Sequence, residues 1–224
     1  MKVVAQLSAS TLGGIVFMGV LLFVPAGTFD YWQAWVFIAA FIVSTMLPTV
    51  YLAVKYPDAL QRRLKSGPWS ETRLAQRLIM IALPVCVIAV GVVSALDHRF
   101  GWSSPSTTVV IIGNVLVFTG ILLAEFVIIQ NNYAAATITV EADQPLVSTG
   151  MYGVVRHPMY VGAMIMMVGM PLALGSYWGL LTLIPGTLVF VARITDEEKA
   201  LRQELHGYVE YTQKVHYRLV PGVW

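Results

Sequence analysis

Two short stretches of the sequence carry side chains able to bind and orient a charged small molecule. The first is Arg156-His157-Pro158-Met159-Tyr160. It combines a fixed cation, a titratable imidazole and a phenol around a proline suited to the first turn of a helix. Gly150 and Gly153 permit backbone turns just before it. Arg156, His157 and the N–H groups of that helix start together favour a bound carboxylate or phosphate. The second stretch is Arg193-Ile194-Thr195-Asp196-Glu197-Glu198-Lys199, with Arg193 and Glu197 at i,i+4 and three consecutive acids. A solvated helix end accounts for such a run by itself. If the chain folds back on itself, acid and base face one another across a polar pocket capped by Tyr208, Tyr211 and Tyr217. Upstream, Glu125 and Asn132 stand seven positions apart, which predicts one shared helical face. An ionisable group at that depth in apolar sequence serves either a structural hydrogen bond or a functional site.

The elements that must position these residues are membrane helices. Of 224 residues, 57% are hydrophobic and 12% charged, against about 25% charged in soluble domains. That composition excludes a soluble enzyme, a disordered chain and a nucleic-acid binder, and a net charge of +2 implies no anionic polymer as partner. Cys86 is the single cysteine, so there is no intrachain disulfide and no thiol-rich metal site. Uncharged runs at 3–29, 31–54, 78–96 and 100–124 reach the roughly 20 residues a bilayer crossing requires. The run 159–192 would be about 51 Å long as one helix. Pro171 and Gly175-Ser176 interrupt it, predicting a hairpin of two short helices.

The expected fold is therefore all-α: a polytopic bundle of about six membrane helices with a C-terminal helical hairpin and a cytoplasmic pocket. With the N-terminus inside, only Arg99 of the 14 Lys and Arg residues falls on the outer side, a strong positive-inside bias. Both termini are then cytoplasmic. Trp32, Trp102 and Trp178 lie near the outer boundaries, where indole rings favour the interface. The basic stretch 55–77 reads as topology-setting and headgroup contact, with a grip on substrate as the alternative. The first run is expected to be an uncleaved span, although Val24-Pro25-Ala26 weakly resembles a cleavage site. One domain, 1–224, is expected, with spans over 1–130 and the chemistry-bearing half over 131–224. His98, His157, His206 and His216 lack metal-ligand spacing, and no Walker loop, dinucleotide fingerprint or nucleophile elbow is present.

From Asn131 to Trp224 the sequence resembles the isoprenylcysteine carboxyl methyltransferase family and its relatives, the phospholipid N-methyltransferases. The ordered series is Gly150-x-Tyr152, Arg156-His157-Pro158-x-Tyr160-x-Gly162, a hydrophobic hairpin, Arg193-x-x-x-Glu197-Glu198, Leu201, Gly207-x-x-x-Tyr211 and Arg218-Leu219-Val220-Pro221-Gly222. Met151 and His206 depart from the residues many relatives carry, affecting turn stiffness and the pocket rim. The resemblance implies a membrane-embedded methyltransferase that uses S-adenosylmethionine and needs no metal. It implies a donor site of Arg156, His157, Tyr160, Glu197 and Glu198, with Tyr152 and Gln144 nearby. Arg193 and Asn132 are implied to position a lipophilic acceptor entering from the bilayer. An amine acceptor must lose a proton, for which Glu125 or His157 is the available base. The same half also resembles sterol reductases that use a nicotinamide cofactor, but lacks their His-Arg-x-x-Arg-Asp run. A membrane reductase, lipid amine N-methylation and a non-enzymatic membrane module remain alternatives to methylation of a prenylated or isoprenoid-like carboxylate.

Overall fold

A computed structural model describes residues 2–57, 60–61, 73–133 and 144–224, with side chains from Thr11 onward. The described chain is helical: α1 (Lys2–Ala26), α2 (Trp32–Lys55), α3 (Leu74–Phe100), α4 (Thr107–Gln130), α5 (Pro158–Ala173), α6 (Leu183–Glu204) and α7 (Tyr208–Lys214). Short 3-10 turns occupy Gly150–Gly153 and Trp178–Thr182. Four stretches are long and apolar enough to cross a bilayer, at Trp32–Lys55, Leu74–Phe100, Thr107–Gln130 and Trp178–Glu204. Thr11–Ala26 and Pro158–Ala173 are shorter apolar helices. The chain is an integral membrane protein, and its lipid-facing side chains are large and apolar, as at Val16, Leu47, Val85, Ile111 and Leu188. Arg62, Arg63 and Lys65 of the basic stretch lie outside the described residues.

The tightest packing joins α4 to α5 through four glycines. Gly113 and Gly120 on α4, seven positions apart, meet Gly169 and Gly162 on α5, also seven apart. A Cβ on Gly120 would stand 2.5 Å from the Gly162 carbonyl oxygen, and one on Gly162 would stand 2.6 Å from that of Gly120. A Cβ on Gly113 would run into the backbone of Ala173. Within a membrane, where apolar side chains gain little by leaving lipid, such small residues allow close backbone approach. This antiparallel register brings the end of α4 beside the start of α5, where His157 lies.

The predicted hairpin is present. The chain turns at Gly175, whose φ of 70° belongs to the left-handed region. Asp97 at the end of α3 anchors that turn. Its buried carboxylate accepts hydrogen bonds from Ser103 N (2.7 Å), Ser103 Oγ (2.5 Å) and Ser176 Oγ (2.5 Å). Those donors replace the water a buried charge has lost. Tyr31 stacks on His98 with 3.9 Å between ring centroids and donates its hydroxyl to Leu174 O at 2.7 Å. Trp102 and Trp178 touch edge to face at this same end. The hairpin is thereby fixed at its turn, which leaves its two open ends to meet.

Candidate functional site

Those open ends bring the two chemistry-bearing stretches together. Arg156 Nε donates to Glu198 Oε1 at 2.6 Å, and His157 Nε2 lies 3.3 Å from that same oxygen. The hydroxyl of Tyr160, one turn into α5, donates to Glu197 Oε2 at 2.6 Å. His157 Nδ1 stands 3.9 Å from Glu197 Oε1. Consecutive positions on α6 therefore do different things. The Glu198 side chain is 4% exposed and binds Arg156, His157 and, through Oε2, Arg218 Nε at 3.1 Å. The Glu197 side chain is 21% exposed and faces the adjoining cleft.

The C-terminal tail closes the other side. Arg156 N and His157 N donate to Tyr217 O (2.9 Å) and Arg218 O (3.0 Å). The Arg156 guanidinium also gives Nη1 to Val215 O and His216 O, both at 2.8 Å. Arg156 borders the cleft, but its Nε and Nη1 and the two N–H groups just ahead of α5 already have partners within the chain. Glu198 and the tail's carbonyls take those donors, because an internal acceptor satisfies a buried N–H as well as a ligand does. Arg156 acts as a clamp between α6 and the tail.

The cleft lies over this cluster. Its lining includes Asn131, Gln144, Tyr152, His157, Tyr160, Glu197, Tyr208 and Tyr211, with Leu146, Leu201 and Leu205 as apolar wall. Tyr133 and Gln144, on either side of residues 134–143 (which lie outside the described residues), both border it. Tyr211 donates its hydroxyl to Tyr152 O at 2.6 Å, and Asn131 Nδ2 donates to the Tyr152 hydroxyl at 3.2 Å. Burial pushes the Tyr152 phenol up to about 12 and raises Tyr208 and Tyr211 further. These phenols stay neutral at physiological pH. The hydroxyl of Tyr208 is buried and has no hydrogen-bond partner among the described residues. The cleft thus presents a carboxylate, an imidazole, neutral phenols and one unsatisfied hydroxyl.

Behind Tyr160 runs a second polar chain. Arg193, 3% exposed, donates Nε to the Tyr160 hydroxyl at 3.1 Å and Nη1 to Gln76 Oε1 at 2.5 Å. Gln76 in turn donates to Asp196 Oδ2, which also lies 3.2 Å from Arg73 Nη1. The Tyr160 phenol therefore stands between Arg193 and Glu197. Arg193 itself does not border the cleft.

Two sequence-predicted acceptor residues also stand apart from it. α4 ends at Gln130, with Asn131 extended beyond it, so the helical face predicted to join Glu125 to Asn132 stops short. Asn131 leaves the helix because its side chain takes up the turn, Oδ1 accepting from Tyr133 N at 3.1 Å. Asn131 consequently borders the cleft, whereas Asn132 is solvent-exposed. Glu125 lies on the described part of α4, half-buried and outside the cleft lining. Sequence reasoning missed Gln76, Asn131 and the grip of Arg218. Only Arg218 carried a signal, as part of the motif series.

Comparison with known proteins finds likeness in part of the sequence and in the fold. Residues 108–207 match the family model described as phospholipid methyltransferase. A 95-residue stretch, 39% of this chain, is 34% identical to a Delta(14)-sterol reductase of Mus musculus and spans only 22% of that protein. The fold is similar to that of the eukaryotic intramembrane Ras methyltransferase, isoprenylcysteine carboxyl methyltransferase. The TM-score is 0.50 at 17% identity, with 100% of this chain and 87% of that one covered.

Proposed function

We propose that this chain transfers a methyl group from S-adenosylmethionine to a lipophilic acceptor that reaches the site from the bilayer, a reading supported by the match of residues 108–207 to the phospholipid methyltransferase model. The observation that carries this reading is the charge of the cleft. Its carboxylate, Glu197, is open to a ligand, whereas its arginine, Arg156, is committed to Glu198 and the tail. A sulfonium donor with an ammonium group suits such a lining, since carboxylate and phenol faces both attract cations. The pyrophosphate of a nicotinamide cofactor asks for free cations instead, which weighs against a reductase.

S-adenosylmethionine supplies, when bound, an electrophilic methyl group on sulfur. Glu197, His157 and Tyr160 hold it from α5 and α6, Tyr152 and Gln144 border it, and the Tyr208 hydroxyl gains the partner it lacks. Arg156 and Glu198 keep the two helix ends together beneath it. In-line displacement depends on alignment and exclusion of water, which the tyrosine-rich wall and the tail provide. We assign the cofactor site and both termini to the cytoplasmic side, with 131–224 as the catalytic half.

The acceptor is proposed to be a carboxylate on a prenylated or isoprenoid-like molecule, oriented by the charge of Arg193 behind Tyr160, with Asn131 rather than the predicted Asn132 at the cleft. A second reading, N-methylation of a lipid amine, is favoured by the description of the matching family. In that reading Glu125 or His157 takes the proton that the amine must release. Membranes containing the protein, incubated with methyl-labelled S-adenosylmethionine, should transfer label to a lipid fraction. Alkaline release of the label as methanol marks an ester, and alkali-stable label marks an amine. Purified protein that binds NADPH but not S-adenosylhomocysteine overturns both readings.

A further inference from the structure

Arg218 lies outside the cleft lining, yet it reaches His157 by two routes. Its carbonyl accepts the His157 N–H at 3.0 Å. Its Nε meets Glu198 Oε2 at 3.1 Å, while the opposite oxygen of that carboxylate faces the His157 ring at 3.3 Å. A carboxylate is planar, so holding Oε2 sets the plane in which Oε1 sits between Arg156 and His157. The guanidinium is seated in turn by the Trp224 ring, 5.1 Å from its centroid, and by Arg218 N donating to Trp224 O at 2.9 Å.

We propose that Arg218 is a positioning residue for the donor site, locking the Glu198 carboxylate so that the His157 ring keeps its Nε2 proton and turns Nδ1 toward Glu197 and the cleft. Without Arg218, Glu198 is free to turn both oxygens to Arg156, whose fork accepts a carboxylate in two-point fashion. His157 then loses the partner that selects its tautomer. The C-terminal tail thereby becomes part of the site, although no tail residue beyond Tyr211 borders the cleft. The inference rests on the methyl-donor reading of the cleft.

The test uses the full chain in detergent micelles, labelled with 15N-histidine, with His157→Asn identifying the His157 signals among the four histidines. Wild type should hold its proton on Nε2. Arg218→Met should mix the two tautomers and weaken S-adenosylhomocysteine binding by on the order of tenfold to a hundredfold. Turnover at saturating donor should fall less steeply than affinity does, because the groups that line the cleft are themselves unchanged. Arg218→Lys restores the charge without the fork and should fall between the two. If Arg218→Met does not fold, Arg218→Lys decides on the same readouts. Wild-type nitrogen signals or wild-type affinity in a folded variant overturns the proposal. Absence of S-adenosylhomocysteine binding to the wild type refutes the methyl-donor reading instead, and the nitrogen signals then judge the role of Arg218 on their own.

Discussion

Arg156 Nε and Glu198 Oε1 stand 2.6 Å apart although 42 positions separate them in the chain. Both side chains are almost fully buried, at 5% and 4% exposure. This pair joins the start of α5, the C-terminal half of α6 and, through the other donors of Arg156, the tail. Among the described residues, the neighbouring Glu197 meets α5 only through the Tyr160 hydroxyl and His157, makes no hydrogen bond or ion pair with the tail, and borders the cleft. In the proposed donor site, the pair of acids therefore divides into a structural and a ligand-facing member.

That division predicts opposite phenotypes. Glu198→Ala leaves the buried Arg156 charge without its counter-ion and should destabilise the protein by about 3–5 kcal/mol. Thermal unfolding in detergent reads this directly. Glu197→Gln keeps the hydrogen bond from Tyr160 and should unfold near the wild-type temperature. Its S-adenosylhomocysteine affinity should nevertheless fall by about tenfold or more, the scale of one charge-assisted contact. Equal stability losses in the two variants would contradict the assignment.

The glycine seam yields a prediction confined to the fold. Gly162→Ala places a Cβ where the Gly120 carbonyl oxygen stands 2.6 Å away, so α4 and α5 must separate. The expected cost is about 1–3 kcal/mol. Gly14→Ala on α1 has nothing within 4 Å of the added carbon and should be neutral or slightly stabilising, because alanine favours a helix. Parallel melting curves of the two variants test the contrast.

Much of this arrangement is legible in the order of the residues alone. Hydropathy and the placement of Arg and Lys specify a membrane helix bundle. Pro158, Pro171 and Gly175 mark the hairpin that sets His157 against Glu198. The residues that escape such a reading share a physical cause. Gln76 is an uncharged amide at the start of an apolar helix, and only its burial between Arg193 and Asp196 reveals its use. Asn131 and Asn132 differ by one position past a helix end, where a local side-chain bond decides which one faces the cleft. The hold of the tail on Arg156 is equally hidden, because its acceptors, Val215 O and His216 O, are backbone atoms without a sequence signature.

Gln76 itself supports a test. Gln76→Leu is close to the same size but leaves Arg193 Nη1 and Asp196 Oδ2 without that partner, at an expected cost of about 2–3 kcal/mol. Tyr160 depends on Arg193 for one of its two hydrogen bonds, so the variant should also loosen the donor side. A rise in KM for S-adenosylmethionine accompanying the lower melting temperature is the expected pattern. Gln76→Glu places a carboxylate beside Arg193 and Asp196, and should retain the first contact while repelling the second.

Alkaline pH tests the tyrosine wall. Burial raises the Tyr152 phenol from its ordinary 10 to about 12, so the folded protein keeps a proton that the unfolded chain releases. The sign follows: the stabilising contribution is fully present below pH 10 and is lost as pH climbs through 12. Tyr152→Phe removes that titration along with the hydrogen bond from Asn131. At neutral pH the variant should be less stable by about 1 kcal/mol, and its decline in stability between pH 10 and 12 should be shallower than that of the wild type. Tyr208 and Tyr211 still titrate late, so the decline is reduced rather than abolished. Denaturation measured across that window, with phenolate absorbance followed in parallel, checks both slopes. A decline identical in the two proteins would mean that Tyr152 ionises as freely in the folded state as in the unfolded chain.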